Sequence, residues 1–180
     1  YGSTIHGRDH ITWLEIAANR NGEVQGLRVK TLANLGGRLS TIGPGIPTTL
    51  YARVLSGCYK IPNVYAEVTG VYTNTTFVDA YRGAGRPEAT YVIERAMDLF
   101  AAEIGMDPAE VRRINLIPRD GFPFTGVTGA TYDVGDYEGA LDRALRHDRT
   151  ARLRDEEHVR LHDVALRQDD VRRGAEHEAQ

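Results

Sequence analysis

The alternation of apolar and polar residues near the start of the chain predicts a β-hairpin. Residues 9–18 are rich in β-branched and aromatic side chains, and residues 23–34 alternate more regularly. Asn21 and Gly22 lie between the two runs, and an Asn-Gly pair in this position is a strong signal of a hairpin turn.

The middle of the chain predicts a loop followed by a third strand. Residues 36–62 are rich in Gly, Pro, Ser and Thr, which favours loop, with a short helix near 47–54. Residues 63–75 alternate again, so we expect a strand there.

The pattern then changes to a helical period. Apolar residues recur at three- and four-residue spacing from Ala89 to Ile104, which predicts an amphipathic helix. Gly105 follows where a left-handed C-terminal cap belongs. Asp107 and Pro108 then predict the start of a second helix, because aspartate caps the first amides and proline suits the first helical position.

The predicted elements define an α+β fold, in which a β-hairpin and a further strand pack with two to three helices. Residues 117–135 have no clear period and predict irregular structure, whereas Asp136 precedes a third helix, YEGALDRALR. Residues 147–180 are dense in Arg, Asp, Glu and His. We therefore expect one domain over residues 1–146 and a charged tail, helical or disordered, over 147–180.

Composition narrows the function classes. The 180 residues are 41% hydrophobic with a net charge of only -3, which fits a soluble globular protein and gives no argument for nucleic-acid or membrane binding. A single cysteine excludes an internal disulfide and fits a reducing cytoplasm. No apolar run is long enough for a membrane span or signal peptide. Because the chain begins with Tyr1, we expect it to be a piece of a longer protein.

The segment AYRGAGRPEA, just before the first predicted helix, has the composition of an anion-binding loop. Gly83, Ala84 and Gly85 leave the backbone nearly bare, so their amides can turn toward one anion. Arg82 and Arg86 add positive charge and paired donors, and the helix adds its N-terminal dipole. The alternative is a tight strand-to-helix turn with two surface arginines.

This segment and the helices after it resemble the molybdenum hydroxylases, the xanthine dehydrogenase and aldehyde oxidase family. The resemblance is closest to large subunits of the aerobic carbon monoxide dehydrogenase type. GRDHITWLEIAANRNG, PTTLYARVLSGCYKIPN and TYDVGDYEGALDRAL agree with the same subunit in the same order. The resemblance covers about residues 2–146 and implies one lobe of a larger molybdopterin-binding domain.

The resemblance also implies the cofactor, the reaction and the partners. The cofactor would be molybdopterin cytosine dinucleotide with molybdenum, and the reaction would hydroxylate a small molecule with water-derived oxygen. FAD would lie on a medium partner subunit and [2Fe–2S] clusters on a small one, in a dimer of heterotrimers.

The same resemblance implies that Arg82, Gly83, Ala84 and Gly85 contact the cofactor. Gly83 stands where the carbon monoxide enzymes carry a copper-binding cysteine, so an aldehyde or N-heterocycle is favoured as substrate over carbon monoxide. Ala84 replaces a large aromatic residue of the xanthine enzymes, which argues against a purine-specific pocket.

Two departures from the family are evident. The C-terminal glutamate that serves the family as general base is missing, so we expect no catalytic residue in this chain and no activity from it alone. The segment 147–180 does not resemble the family, and we expect a frameshifted or misjoined end there. A non-catalytic gene remnant and an anion-binding interaction module remain alternatives.

Two histidines and the cysteine are further candidate site residues. His6 and His10 have a spacing that can chelate zinc on a helix, but we expect surface histidines at the approach to a strand. Cys58 has no nearby histidine and is expected to be a small, at least half-buried residue rather than a nucleophile.

Three residues flank the glycine-rich segment. Asp79 either orients it or caps a turn, with capping favoured, and Tyr81 either donates to a ligand or faces the core. Glu88 lies in the first helical turn, where a carboxylate favours the helix dipole.

Overall fold

A computed structural model of the chain describes residues 4–5 and 7–146. The predicted tail over 147–180 and His6 lie outside the described residues. The elements within them are β1 (His10–Ala18), β2 (Val24–Gly36), β3 (Val64–Tyr72), α1 (Arg86–Ile104), α2 (Pro108–Asn115), β4 (Phe124–Thr125), β5 (Thr131–Tyr132) and α3 (Tyr137–Arg146). The predicted α+β class is confirmed.

The predicted hairpin is confirmed as the antiparallel pair β1–β2, with Leu14 opposite Val29. Its turn is organised by Asn19, whose side-chain oxygen accepts from the amides of Asn21 and Glu23, each at 3.0 Å. Gly22 has φ +90°, a conformation that glycine adopts without strain. The Asn-Gly signal therefore marks the turn, but its hydrogen bonds come from the earlier asparagine.

The third strand is confirmed and lies parallel to β2, in the order β1-β2-β3, with Leu27 opposite Val64. A parallel neighbour requires a long crossover, and residues 37–63 provide it. This crossover contains a helical turn at Gly43–Gly45 and another at Ile46–Leu50. The predicted short helix therefore exists but begins before residue 47.

The predicted cap at Gly105 and the predicted starts of α2 and α3 are confirmed, whereas α1 begins at Arg86, before the apolar period. Gly105 caps α1 with φ +68°, and the Asp107 carboxylate accepts from the Ala109 amide at 2.6 Å to cap α2. Asp136 accepts from the Gly139 amide at 3.0 Å at the start of α3. Residues 117–135 are not wholly irregular as expected, because β4 and β5 pair within them.

The core lies between one face of the sheet and α1. Its almost completely buried members include Val29, Tyr51, Leu55, Tyr59, Ile93, Met97 and Val111. The opposite face of the sheet exposes large apolar side chains, among them Ile11, Trp13, Leu32 and Tyr65. One-sided burial explains why β1 alternates between half-buried and exposed positions.

A polar network joins the two consecutive helices α1 and α2. Arg112 of α2 lies 2.8 Å from Glu94 and 2.9 Å from Asp98, both on α1, and Glu94 also accepts from the Tyr59 hydroxyl at 2.8 Å. The two carboxylates raise the pKa of Arg112 against the opposing effect of burial. This arginine fixes the angle at which α2 leaves α1.

Candidate functional site

Residues 80–86, called here the glycine loop, connect the end of the sheet to α1. The chain after β3 runs along β2, where the amide of Val78 donates to Leu35 at 3.2 Å. Gly36 allows this approach, because a Cβ there would lie 2.4 Å from the Phe77 backbone. Because the chain is held against β2 up to Val78, the position at which it enters the glycine loop is fixed by the sheet.

The glycine loop is a left-handed turn. Gly83, Ala84 and Gly85 have φ of +99°, +39° and +90° in succession, and Ala84 is the only non-glycine residue with positive φ among those described. Alanine in this region stores backbone strain, which the surrounding structure must hold in place.

Two amides are used inside this turn. Ala84 donates to the carbonyl of Tyr81 at 2.9 Å, and Arg86 donates to that of Gly83 at 3.1 Å. Within the described residues the amides of Gly83 and Gly85 have no acceptor. Gly83 is partly exposed and Gly85 is buried, so Gly83 offers the more accessible donor. The sequence suggests that all three successive amides turn toward one anion. In the structure they do not, because the Ala84 amide donates within the turn.

Both glycines are required by their surroundings as well as by φ. A Cβ on Gly85 would lie 2.5 Å from the carbonyl oxygen of Ile46 and 2.7 Å from the amide nitrogen of Tyr51. A Cβ on Gly83 would lie 2.9 Å from the ring of Pro87. The glycine loop therefore packs directly on the helical turn Ile46–Leu50 and on Tyr51, which together are called here the floor of the glycine loop.

The glycine loop carries uncompensated positive charge. Arg82 is exposed, and within the described part of the chain its guanidinium has no carboxylate partner. Among the same described residues, the Arg86 guanidinium donates only to the carbonyl of Gly83, at 3.4 Å. Since α1 adds its positive N-terminal end, the donors here suit an anionic group.

Tyr51, at the floor of the glycine loop, packs against a histidine ring of β1. The ring of His10 meets that of Tyr51 edge-to-face at 5.9 Å. Burial lowers the pKa of His10 against the attraction of Glu88 and Asp9, and burial raises the pKa of Tyr51. His10, the first residue of β1, is half-buried and not a fully exposed surface histidine as expected.

The residues flanking the glycine loop differ in their roles. Asp79 accepts from the next amide, that of Ala80, at 2.7 Å, as a local turn cap does. Tyr81 is 63% exposed and does not face the core. Glu88 lies in the first turn of α1 as predicted, but it also pairs with Arg8, whose Nε lies 2.8 Å from it.

The contact of Arg8 with the glycine loop and Glu88 was not predicted from the sequence. Arg8 lies in the motif GRDH, which marks the strand entry, and nothing local identifies Glu88 as its partner. Cys58 is half-buried as predicted, and burial raises the pKa of its thiol to about 11.

Two further findings concern the described residues alone. They include no group of three or more His, Cys, Asp or Glu side chains arranged to hold a metal ion. None of their helices is both long and apolar enough to cross a membrane.

A shallow groove of about 420 Å³ lies away from the glycine loop, beside β3 and the β4–β5 turn. It is open to solvent, and its lining carries a single charged side chain, Arg53. The donors and charges described above make the glycine loop the stronger candidate site.

Comparison with known proteins shows similarity over most of the chain. Residues 2–116 match the model of the molybdopterin cofactor-binding domain. The chain is 40% identical over 146 residues to the carbon monoxide dehydrogenase large chain of Hydrogenophaga pseudoflava, covering 79% of this chain and 18% of that one. It is 36% identical over 123 residues to subunit gamma of the 6-hydroxypseudooxynicotine dehydrogenase complex of Paenarthrobacter nicotinovorans, covering 68% and 15%.

Solved structures share the fold. Quinoline 2-oxidoreductase from Pseudomonas putida 86 superposes with a TM-score of 0.76 at 25% identity, covering 84% of this chain and 20% of that one. A Cu,Mo-CO dehydrogenase superposes with a TM-score of 0.71 at 30% identity, covering 93% and 20%. The chain thus spans about a fifth or less of the relatives it matches, and corresponds to one lobe of their molybdopterin-binding domain.

Proposed function

The chain belongs to the molybdopterin cofactor-binding domain family, and from this premise we propose that it is part of the molybdenum-cofactor-binding subunit of a hydroxylase. Its relatives are molybdopterin-dependent dehydrogenases and oxidoreductases. In this proposal the chain's own task is to bind the cofactor, and the complete subunit carries out the oxidation.

The observation that carries this proposal is the glycine loop. It combines a strained left-handed backbone with amides at Gly83 and Gly85 and a guanidinium at Arg82 that have no acceptor or carboxylate partner among the described residues. Strain of this kind persists at sites where backbone atoms meet a ligand. These donors fit the anionic parts of a metal–pterin cofactor, since amides and guanidinium groups both donate to oxyanions.

Each loop residue has a distinct proposed role. Arg82 supplies charge-assisted hydrogen bonds to the cofactor, and Gly83 offers its exposed amide. The Ala84 amide is occupied within the turn, so Ala84 contacts the cofactor through its methyl or carbonyl group instead. Gly85 keeps the chain close to its floor. When bound, the cofactor supplies the redox chemistry, and these residues bind and orient it.

The finer assignment also belongs to the proposal. The cofactor would be the cytosine dinucleotide form, with FAD and [2Fe–2S] clusters on two partner subunits in the cytoplasm. Gly83 has no side chain with which to bind copper, which favours an aldehyde or N-heterocycle as substrate over carbon monoxide. The mixture of carbon monoxide, nicotine-type and aldehyde enzymes among the relatives supports this breadth.

The test adds molybdenum cofactor, released from a purified molybdenum hydroxylase, to the 180-residue chain. After gel filtration, retained molybdenum and pterin fluorescence are measured. We expect stoichiometric retention, and at least a tenfold loss of affinity in Arg82→Ala, since one charge-assisted contact is worth about 1.5–3 kcal/mol. Arg20→Ala is the matched control, because Arg20 is also exposed but lies at the hairpin turn.

Two outcomes would reject the proposal. A folded chain that retains neither metal nor pterin would point to a gene remnant. Inorganic phosphate that binds in an Arg82-dependent way, while the cofactor does not, would point to an anion-binding interaction module.

A further inference from the structure

Arg8, in the segment before β1, contacts the glycine loop region at three points. Its Nε lies 2.8 Å from a carboxylate oxygen of Glu88, and its Nη2 donates to the carbonyl of Arg82 at 3.3 Å. Its guanidinium also lies over the ring of Tyr81, 5.2 Å from the centroid. One planar group therefore joins the loop backbone to the first turn of α1.

Glu88 needs this partner because it is buried. Its side chain is only 8% exposed, and its second carboxylate oxygen, Oε2, is buried without a hydrogen-bond partner in the described structure. A buried carboxylate is costly unless it is paired, so the ion pair with Arg8 is required for this helix start. The Arg8 side chain is 35% exposed and spans from solvent to the buried acid.

The hydrogen bond from Arg8 to the Arg82 carbonyl lies at the start of the strained turn. The Arg82 carbonyl immediately precedes the three positive-φ residues, and within the turn only two backbone hydrogen bonds restrain them. A strained turn relaxes unless its surroundings over-determine it. A guanidinium that binds both the Arg82 carbonyl and the Glu88 carboxylate links the start of the turn to the first turn of α1.

We propose that Arg8 is a positioning residue, which locks the glycine loop in its left-handed conformation through the Arg8–Glu88 pair and thereby presents Arg82 and the Gly83 amide to the ligand. The ligand part rests on the proposed cofactor-binding function. The conformational part concerns the chain alone and is tested without any ligand.

The experiment measures backbone hydrogen exchange by NMR on the 180-residue chain. In Arg8→Ala we expect the amides of Ala84 and Arg86 to exchange about tenfold faster or more, with the Val24 amide unchanged. Arg28→Ala is the matched control, because Arg28 also pairs with a glutamate, at 3.3 Å, and lies over a tyrosine ring, at 6.0 Å, but on the open face of the sheet. Unchanged exchange at both loop amides, or an equal rise at Val24, would overturn the proposal.

Arg8→Lys provides a second variant in case Arg8→Ala does not fold. Lysine still compensates the Glu88 charge, but a single ammonium lacks the planar fork that serves two acceptors. We expect this variant to fold, with exchange at Ala84 several-fold faster than in the wild type. If a folded Arg8→Lys protein exchanges its Ala84 amide at the wild-type rate, the planar guanidinium of Arg8 has no positioning role.

A cofactor arm separates the two proposals. With the released molybdenum cofactor as probe, Arg8→Ala should lose affinity about tenfold while Arg28→Ala retains it. If the wild-type chain binds no cofactor, the proposed function fails, and the exchange experiment still decides the role of Arg8. If the wild type binds and Arg8→Ala binds equally well, the positioning role is wrong.

Discussion

The side-chain oxygen of Asn115, the last residue of α2, accepts a hydrogen bond at 2.9 Å from the amide of Val24, the first residue of β2. Its side-chain nitrogen donates to the carbonyls of Gly22 at 2.7 Å and Val111 at 2.8 Å. Asn115 is only 3% exposed. A single buried amide thus attaches the hairpin turn to the helical layer.

Replacing Asn115 by alanine should destabilise the fold by about 2–4 kcal/mol, because the Val24 amide and the Gly22 carbonyl lose their partners in the interior. Chemical denaturation measures this cost. Asn63→Ala is the control, since Asn63 makes one comparable bond to the carbonyl of Gln25 at 2.9 Å but is exposed. It should change stability by no more than about 0.5–1 kcal/mol. Equal losses in the two variants would contradict the buried role of Asn115.

Gly85→Ala should destabilise the chain more than Gly129→Ala does. Both glycines have similar positive φ, +90° and +83°, so alanine costs about 1–2 kcal/mol of backbone strain at either. Only at Gly85 does the new methyl group meet the Ile46 carbonyl, whereas Gly129 has open space around it. We expect about 1–3 kcal/mol of additional loss for Gly85→Ala by denaturation. A similar loss of stability in both variants would show that the backbone around Ile46 moves to accommodate the methyl group.

The elements that sequence predicts correctly here are those with local signals. The period from Ala89 to Ile104, the cap at Gly105 and the start at Asp107 each arise from residues within one or two turns. The same holds for the hairpin, because alternation and turn chemistry are adjacent in the chain. These signals need no knowledge of the remaining fold.

The features that sequence could not predict depend on distant partners. The parallel pairing of Leu27 with Val64 depends on how the crossover packs. The Arg8–Glu88 pair joins two residues that are far apart in the sequence and share no local pattern. The glycine loop was located from its residues, yet its hydrogen bonds could not be predicted, because Gly85 is confined by the separate turn before Tyr51.

Cys58 should react slowly with thiol reagents in the native protein. Burial raises its pKa to about 11, with the nearby Glu94 carboxylate acting in the same direction, so little thiolate exists near neutral pH. Labelling by iodoacetamide near pH 8 should be at least about tenfold slower than in guanidinium-unfolded chain, where the pKa returns to about 8.5. Equal labelling rates would contradict the burial of this thiol.

Acidification should destabilise the fold through His10. Burial is the main cause of its lowered pKa, opposed by Glu88 and Asp9 and reinforced by Arg8. The unfolded chain therefore binds more protons than the folded one, and stability falls as the pH drops through the ordinary histidine pKa of about 6.5. His10→Phe keeps a ring against Tyr51 but does not titrate. Thermal unfolding from about pH 8 to about pH 5.5 should show a smaller decline in this variant than in the wild type, and parallel declines would mean that His10 has the same pKa in both states.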